Sequence, residues 1–497
     1  MSAARSAKAL LAPWVDSAGL DETALAGLTM TSGEVVNGGL FMAVAGSVGH
    51  GLDYVDEAIA KGAALIAWEP TDDLETTQAI RQCEAAGVPM VAVPELARHA
   101  GAIAARYYDE PAASLRIIGV TGTDGKTSVA HGIATVLETL GVPAALMGTL
   151  GWGRVGQLTT DSLTTADAVT LQRRFAMLRE AGVRAVAMEV SSHALAQHRV
   201  DAVPFDTAVL THVGRDHLDY HGSVAAYRAA KRRLFTRPGL RRQILNIDDD
   251  LGAELATAAD APGDRLTYGR TEAADLQLLS AEPRPSGLVL TLRIHGLRRT
   301  SELGLIGPFN AMNALATLGA VLDGQPAETA LEALARLQPV PGRMERFIAP
   351  GRPLVVVDYA HTPGALEAAL QGVRPHTRGR LICVFGCGGD RDRGKRALMG
   401  DIASRLADEV RLTNDNPRGE SPDAIIAEIQ AGCRSGTPCQ VEKDRHTAIQ
   451  QAIEAAKPGD TVLVAGKGHE ETQVIGQRVS RFSDRESVGA LLTGEAG

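Results

Sequence analysis

The chain has 497 residues, 45% of them apolar and 22% charged, ordinary globular proportions that exclude a disordered chain or a collagen-like fibre. At roughly 150 residues per domain, such a length divides into about three domains. With 50 Lys and Arg against 59 Asp and Glu, the formal charge is −9, and aromatics make up only 4%; neither the basic footprint of a nucleic-acid binder nor a stacking platform for single strands is expected.

Residues 1–112 read as a small α/β domain. Its opening apolar stretch is short, broken by Pro13 and closed by Asp16, unlike a secretory signal. GGLFMAVAG, GAALIAW and VPMVAV read as strands, with YVDEAIAKG a helix between the first two, and DEPAASL with Pro111 as a linker. Residues 113–338 begin with the strand RIIGV, a Gly-rich turn, and a helix carrying Val129, Ile133, Val136, Leu137 and Leu140 at helical spacing. The strands VRAVAMEV, FDTAVLTHV and RRQILNI follow, alternating with helices, a pattern that predicts a mainly parallel sheet covered on both faces. Short alternating strands near 270–305 and the helix NAMNALATLGAVL close this domain. Residues 339–497 contain four strand–loop–helix units beginning at PLVVV, LICVF, EVRLT and TVLVA. In such sheets ligands sit beyond the carboxyl ends of the strands, where almost every unusual polar motif of this chain falls.

The five cysteines, Cys83, Cys383, Cys387, Cys433 and Cys439, are odd in number, widely spaced and without a CxxC pair. They suit reduced thiols in a cytoplasmic protein better than a disulfide framework or a zinc ribbon. No apolar run approaches the length of a membrane span. A monomer is expected, with small-molecule substrates and no nucleic-acid partner.

GVTGTDGKTS follows a strand and opens a helix, as a phosphate loop does. Gly122 and Gly125 would let backbone amides approach phosphate oxygens, the helix N-terminus would favour the anion, Lys126 would reach the β- and γ-phosphates, and Thr127 would ligate magnesium. Val120 stands where the strict Walker pattern has glycine, so the alternative is a Gly-rich turn before a helix. Glu189 ends an apolar strand, where a carboxylate can hold magnesium, although many strands end in an acid. His212, His217 and His221 lack a cysteine partner and read as polar-loop histidines rather than a zinc site. Lys231, in the basic run KRR, reads by itself as a surface lysine. DNPRGE reads by itself as a turn.

Taken together, these segments resemble the Mur ligases and folylpolyglutamate synthetases. TGTDGKTS is similar to their TGTNGKT loop, with Asp124 where Asn is usual, and EVSSHAL, THVGRDHLDYHG and YRAAKRRLF resemble three successive Mur-ligase motifs. The resemblance implies an ATP loop of Gly122, Thr123, Asp124, Gly125, Lys126, Thr127 and Ser128. It implies catalytic roles for Lys126, Glu189, His217 and Lys231, and a magnesium ion held by Thr127, Glu189, His217 and Lys231. Lys231 would be an N6-carboxylysine, since a carbamate offers anionic oxygens where an ammonium would repel the cation. GPFNAMNALA resembles the family's nucleotide-contacting helix, with Asn310 and Asn313 on the adenine side. VPGRMERF and VVDYAHTPGALE imply that Arg343, Asp358 and His361 approach ATP from the third domain.

LTMTSGEVVNGGLFMAVAGSVGHG is similar to the UDP-binding segment of the tripeptide-synthetase branch of this family. Ser32 matches the middle of its usual DSR, from which Thr31 and Gly33 depart. Thr164, Thr165, Ser191, Gln197 and Arg199 match the branch's contacts to UDP-MurNAc-L-Ala-D-Glu. Asp415, Asn416, Pro417 and Arg418 resemble the DNPR motif of members that add meso-diaminopimelate, and Arg391, Gly466 and Glu470 complete that match. Diaminopimelate differs from lysine by a second carboxylate, to which Arg418 would offer a planar fork, while Glu470 would accept hydrogen bonds from the distal ammonium. The fold implied is a three-domain α/β protein: a small N-terminal domain, a central P-loop ATPase-like sheet, and a Rossmann-like C-terminal domain. The activity implied is ATP-dependent amide ligation through an acyl phosphate, in peptidoglycan precursor synthesis. The rival readings are a lysine-adding ligase, a folylpolyglutamate-synthetase-like ligase, and a P-loop ATPase or switch without ligation.

Overall fold

A computed structural model describes residues 5–16, 20, 24–46, 49–72, 76–161, 163–259 and 261–494; Ser47 and Val48 of the first domain's motif, and parts of the chain's start, lie outside these. Every sheet with three or more strands is α/β in setting, its strands alternating with helices or joined by hairpins. Contacts divide the chain into two units, residues 1–268 with 319–323, and residues 269–318 with 324–497.

In the first unit, Leu28–Thr29, Gly39–Ala43, Ala63–Trp68 and Met90–Ala92 form a parallel sheet in that order. Every residue of Gly39–Ala43 is buried, the unbroken apolar run expected of a strand covered on both faces. The helix expected over YVDEAIAKG divides into a 3-10 turn, Gly51–Tyr54, and a short helix, Val55–Ala60, because His50 caps the turn through its Nδ1. DEPAASL is not an exposed linker. Pro111 begins a 3-10 turn, Pro111–Ser114, and Ala112 and Leu115 join the core of the following domain.

The larger sheet of this unit has Arg116–Thr121 at its centre, between Ala185–Glu189 and Phe205–Leu210, all parallel. Arg242–Asn246 and Asp264–Gly269 extend one side in parallel, and Ala144–Gly148 with its antiparallel neighbour Gly151–Gly153 extends the other. Ile117, Ile118 and Val120 have no exposed surface, so the central strand is held from both faces and its C-terminal end is a rigid base for the loop that follows.

In the second unit, Leu276–Arg284, Gly287–Ile294 and Leu297–Leu303 form an antiparallel meander, longer strands than the sequence suggested. The second sheet has the order Glu345–Phe347, Leu354–Asp358, Thr461–Ala465, Leu381–Phe385, Glu409–Leu412, Cys439–Val441, parallel except for its first strand. The sequence reading omitted Cys439–Val441 and its helix Arg445–Ala455. Its fourth unit also differs: Thr461–Ala465 leads into a hairpin, Thr472–Ile475 with Arg478–Arg481, before the helix Asp484–Thr493. Gly466 and Gly468, at φ of 118° and 53°, turn the chain away from helical geometry there.

Candidate active site

The phosphate-loop segment leaves the central strand at Thr121 and enters the helix Lys126–Thr139 through Gly125, whose φ of 84° a side chain would resist. Gly122 lies so close to the Thr211 hydroxyl and the His212 backbone that any Cβ would collide with them. Thr211 Oγ1 donates to Asp124 O at 2.6 Å, the Thr123 amide donates to His212 O at 2.5 Å, and Thr123 Oγ1 lies 2.9 Å from the Tyr227 hydroxyl. The loop is therefore preformed by neighbouring strands rather than by its own sequence alone. Val120, where the strict Walker pattern has glycine, is a buried residue of the strand that precedes the loop.

Glu189 stands at the end of the adjacent strand, 1% exposed. It accepts hydrogen bonds from Thr127 Oγ1 at 2.9 Å and from the Thr149 amide at 2.8 Å. Gly148 must lack a side chain, because a Cβ there would overlap the Glu189 carboxylate. Thr165 Oγ1 donates to Glu189 O at 2.9 Å and accepts from the Ser191 amide at 3.1 Å. Arg199 donates to Thr165 O at 3.0 Å and also to Gln197 Oε1. Thr164 Oγ1 lies 3.1 Å from Thr149 Oγ1. Seven residues singled out from sequence thus form one connected network around the loop.

Lys231 is not the surface lysine that its basic neighbours suggest. It is 1% exposed, and its Nζ donates to Gly122 O at 2.6 Å, the carbonyl that also receives Lys126 Nζ at 3.0 Å. Burial first, and the Lys126 ammonium second, push the Lys231 amine from 10.5 down to about 6, against the pull of Asp216 and Asp124. The other face of the amine lies over the Tyr227 ring, 4.5 Å from its centroid.

His217 is half-exposed, 3.3 Å from Asp216 and 4.7 Å, ring to ring, from His193. His221 bonds Ser192, and His212 pairs with Asp249, which raises its pKa. Among the described residues no three His, Cys, Asp or Glu side chains gather for a metal. Thr127 and Glu189 nonetheless fit one end of a magnesium site, being adjacent hard oxygen donors at a buried strand end beside a phosphate loop. Ser32 is remote in sequence from this network; its hydroxyl, in the 3-10 turn Ser32–Glu34, donates to Glu57 on the helix Val55–Ala60.

In the second unit, a cavity of about 520 Å³ opens at the carboxyl ends of the strands. Arg391, Asp415, Asn416, Arg418, Gly466 and Glu470 line it, as does His361, and Lys395, Asp392 and Tyr359 add polar surface. Arg418 Nη1 donates to Gly389 O at 2.9 Å, leaving further guanidinium donors on a side chain that faces the cavity. Pro417 does not line the cavity but leads the chain into Arg418. Asp358 accepts from the Met344 and Ala360 amides at 2.8 and 2.9 Å, and burial holds its carboxyl above the usual range. Arg343 stacks over Tyr359 at 4.7 Å, with its buried Nε lacking a partner among the described residues. Asn310 and Asn313 bond one another, and Asn310 also bonds Ile306 O.

The chain matches the Mur ligase middle domain over residues 120–321, the Mur ligase glutamate ligase domain over 342–468, and the Mur ligase family catalytic domain over 24–108. It is 50% identical to a protein of Alkalilimnicola ehrlichii, over 99% of each chain, and 46% identical to one of Pseudomonas aeruginosa, over 94% of each. Both relatives are named UDP-N-acetylmuramoyl-L-alanyl-D-glutamate–2,6-diaminopimelate ligase. The chain belongs to the Mur ligase family. A solved structure of a protein with that same name superposes at a TM-score of 0.73, with 33% identity over 99% of each chain.

This Mur ligase has further buried charges at its cavity that the sequence did not single out. Lys467 follows a buried strand between two glycines; a lysine in such a position is costly unless paired, which was the available signal. Arg396 sits in the highly charged run GDRDRGKR, yet its side chain is fully buried. It donates to Glu420 at 2.9 and 2.8 Å and to Glu428 at 2.8 Å, tying its helix to the loop that carries Arg418. That fork holds the Glu420 carboxyl down at about 2.

Proposed function

We propose that this Mur ligase joins meso-2,6-diaminopimelate to the γ-carboxylate of D-Glu in UDP-MurNAc-L-Ala-D-Glu, with conversion of ATP to ADP and phosphate. The observation that carries the reading is the cavity bearing Arg391, Arg418 and Glu470, two cations and an anion suited to an amino acid with a charged carboxylate and ammonium at its far end. The names of the relatives support the same substrates. The division into 1–112 for the UDP precursor, 113–338 for ATP and 339–497 for the amino acid belongs to this reading, and the three family segments support it.

In the first step the D-Glu γ-carboxylate oxygen attacks the γ-phosphorus of ATP. A carboxylate–phosphorus bond forms, the β,γ-bridging bond breaks, and ADP leaves. Lys126 and the amides of the loop at 122–127 stabilise charge on the transferring group. Thr127 and Glu189, with His217 and a carbamylated Lys231, would hold magnesium, which supplies charge neutralisation at the phosphates. Thr164, Thr165, Ser191, Gln197 and Arg199 orient the precursor, with Ser32 on its uridine side. Asn310, Asn313, Arg343, Asp358 and His361 serve ATP; His361 also lines the amino-acid cavity, so its role extends to both substrates.

In the second step the neutral amine of diaminopimelate attacks the acyl phosphate carbon. The amide bond forms, the carbon–oxygen bond to phosphate breaks, and the amine proton passes to the departing phosphate. Exclusion of water during this step protects the acyl phosphate from hydrolysis. The test is phosphate release with a panel of amino acids, with and without the UDP precursor. Release that requires both, fastest with meso-diaminopimelate, is expected. Release without either would identify a P-loop ATPase, and equal rates with lysine would remove the carboxylate-reading role from Arg418.

A further inference from the structure

Lys467 has no exposed side-chain surface, and its ammonium donates to Asn416 Oδ1 at 3.0 Å and to Glu470 Oε2 at 3.1 Å. The Val474 amide also donates to Asn416 Oδ1, at 3.0 Å. An ammonium and a peptide N–H can only donate. Two such donors on one side of Asn416 fix Oδ1 as the atom facing them and turn Nδ2 the other way. Nδ2 then donates to Glu470 Oε2 at 2.9 Å. Both bonds therefore converge on a single carboxylate oxygen of a side chain that lines the cavity. Glu470 is held from the backbone as well, since its amide donates to Lys467 O at 2.9 Å.

We propose that Lys467 is a positioning residue for amino-acid binding: it locks the Asn416 amide and anchors Oε2 of Glu470, so that Oε1 is presented to the distal ammonium of the incoming amino acid. The ammonium of Lys467 also offsets the Glu470 charge in a cavity that Asp415 lines as well. The inference rests on the diaminopimelate reading only for the identity of that amino acid.

The test is a double-mutant cycle in the full-length enzyme: Lys467→Met, Glu470→Gln and the pair, with kcat and KM measured for all three substrates. Lys467→Met is expected to raise KM for the amino acid by about 10-fold or more, the loss of a charge-assisted anchor. KM for ATP and for the UDP precursor stays within about twofold, because neither reaches this carboxylate. In the Glu470→Gln background the same substitution adds little, since Lys467 acts through Glu470. An unchanged KM for the amino acid, an equal effect in both backgrounds, or a common rise in all three KM values would overturn the inference. Should Lys467→Met fail to fold, Lys467→Arg keeps the charge but not the geometry, and wild-type KM in that variant overturns the inference as well. All variants are assayed with the amino acid that the wild type uses best. A best substrate other than diaminopimelate overturns the substrate reading; an unmoved KM for that best substrate overturns the role of Lys467.

Discussion

Arg445 and Asp484 form an ion pair with no solvent exposure on either side chain, joined by two hydrogen bonds of 2.7 Å. Two more guanidinium donors go to Ala465 O at 2.9 Å and Asn414 O at 3.2 Å. Ala465 ends one strand beside Leu381–Phe385 and Asn414 lies two residues beyond the other, Glu409–Leu412; each immediately precedes a cavity residue, Gly466 and Asp415. One buried fork thus ties together two of the loops that line the cavity. Asp484→Asn would leave a buried cation without its partner, at a cost of about 3–5 kcal/mol. The expected outcome is a lower urea midpoint together with a raised KM for the amino acid. A midpoint equal to the wild type's would show that the pair is not a structural clamp.

Lys126→Ala should lower kcat by about 100-fold or more, the usual effect of removing a preorganised charge from a transferring phosphoryl group. Lys126 Nζ donates to the carbonyls of Gly122 and Thr123 within its own loop, so circular dichroism should be unaltered. Turnover near the wild-type rate would contradict the phosphate-loop assignment.

The Lys231 amine carries a definite pH dependence. An ordinary lysine at pH 7 is neutral in roughly three molecules of ten thousand. With its pKa lowered from 10.5 to about 6, Lys231 is mostly neutral at pH 7 and becomes charged only below about 6. The neutral amine adds carbon dioxide, releasing one proton and leaving a carbamate. Carbamylation, and activity with it, should therefore be present at neutral pH and lost as pH falls through about 6. Carbon-13 spectra with labelled bicarbonate, and activity in carbon-dioxide-depleted buffer, measure this directly. Lys231→Ala should be nearly inactive and partly restored by acetate or formate. An unmodified lysine in the active enzyme would end the proposal.

Much of the site was legible because its residues are neighbours in sequence. Gly122, Gly125, Lys126 and Thr127 lie within one strand-to-helix turn, so spacing alone suggests their chemistry. Glu189 was legible as an acid ending an apolar strand, but its contact with Thr127 spans 62 positions and needs the parallel pairing of the two strands. Burial was the least legible property. Lys231 lies in a basic run that reads as a surface face, and only the packing of its helix turns it inward, as packing also buries Arg396 in its charged run. Lys467 and Asn416 meet across 51 positions, between two strand-end loops whose pairing no local pattern announces.

Arg418 should determine the choice between diaminopimelate and lysine. Lysine lacks the far carboxylate and would leave the guanidinium without its partner, a loss of about 2–5 kcal/mol. Lysine is then worse by roughly 30-fold or more in kcat/KM, at tenfold for each ~1.4 kcal/mol. Arg418→Ala should narrow the gap mainly by lowering diaminopimelate efficiency, since Arg391 and Glu470 remain. Equal efficiencies in the wild type would show that the motif is only a turn.

The backbone at Arg418 has a further consequence. Its φ is 51°, in the left-handed region, held there by two hydrogen bonds: the Arg418 N–H donates to Val474 O, and the Gly476 N–H donates to Arg418 O. A residue with a Cβ in that region is disfavoured by roughly 1–2 kcal/mol relative to glycine. Arg418→Gly should accordingly melt higher than Arg418→Ala, although neither variant can recognise the far carboxylate. The position is a compromise between thermal robustness and substrate discrimination, in which a locally unfavourable conformation is retained because it aims a guanidinium where glycine would aim nothing.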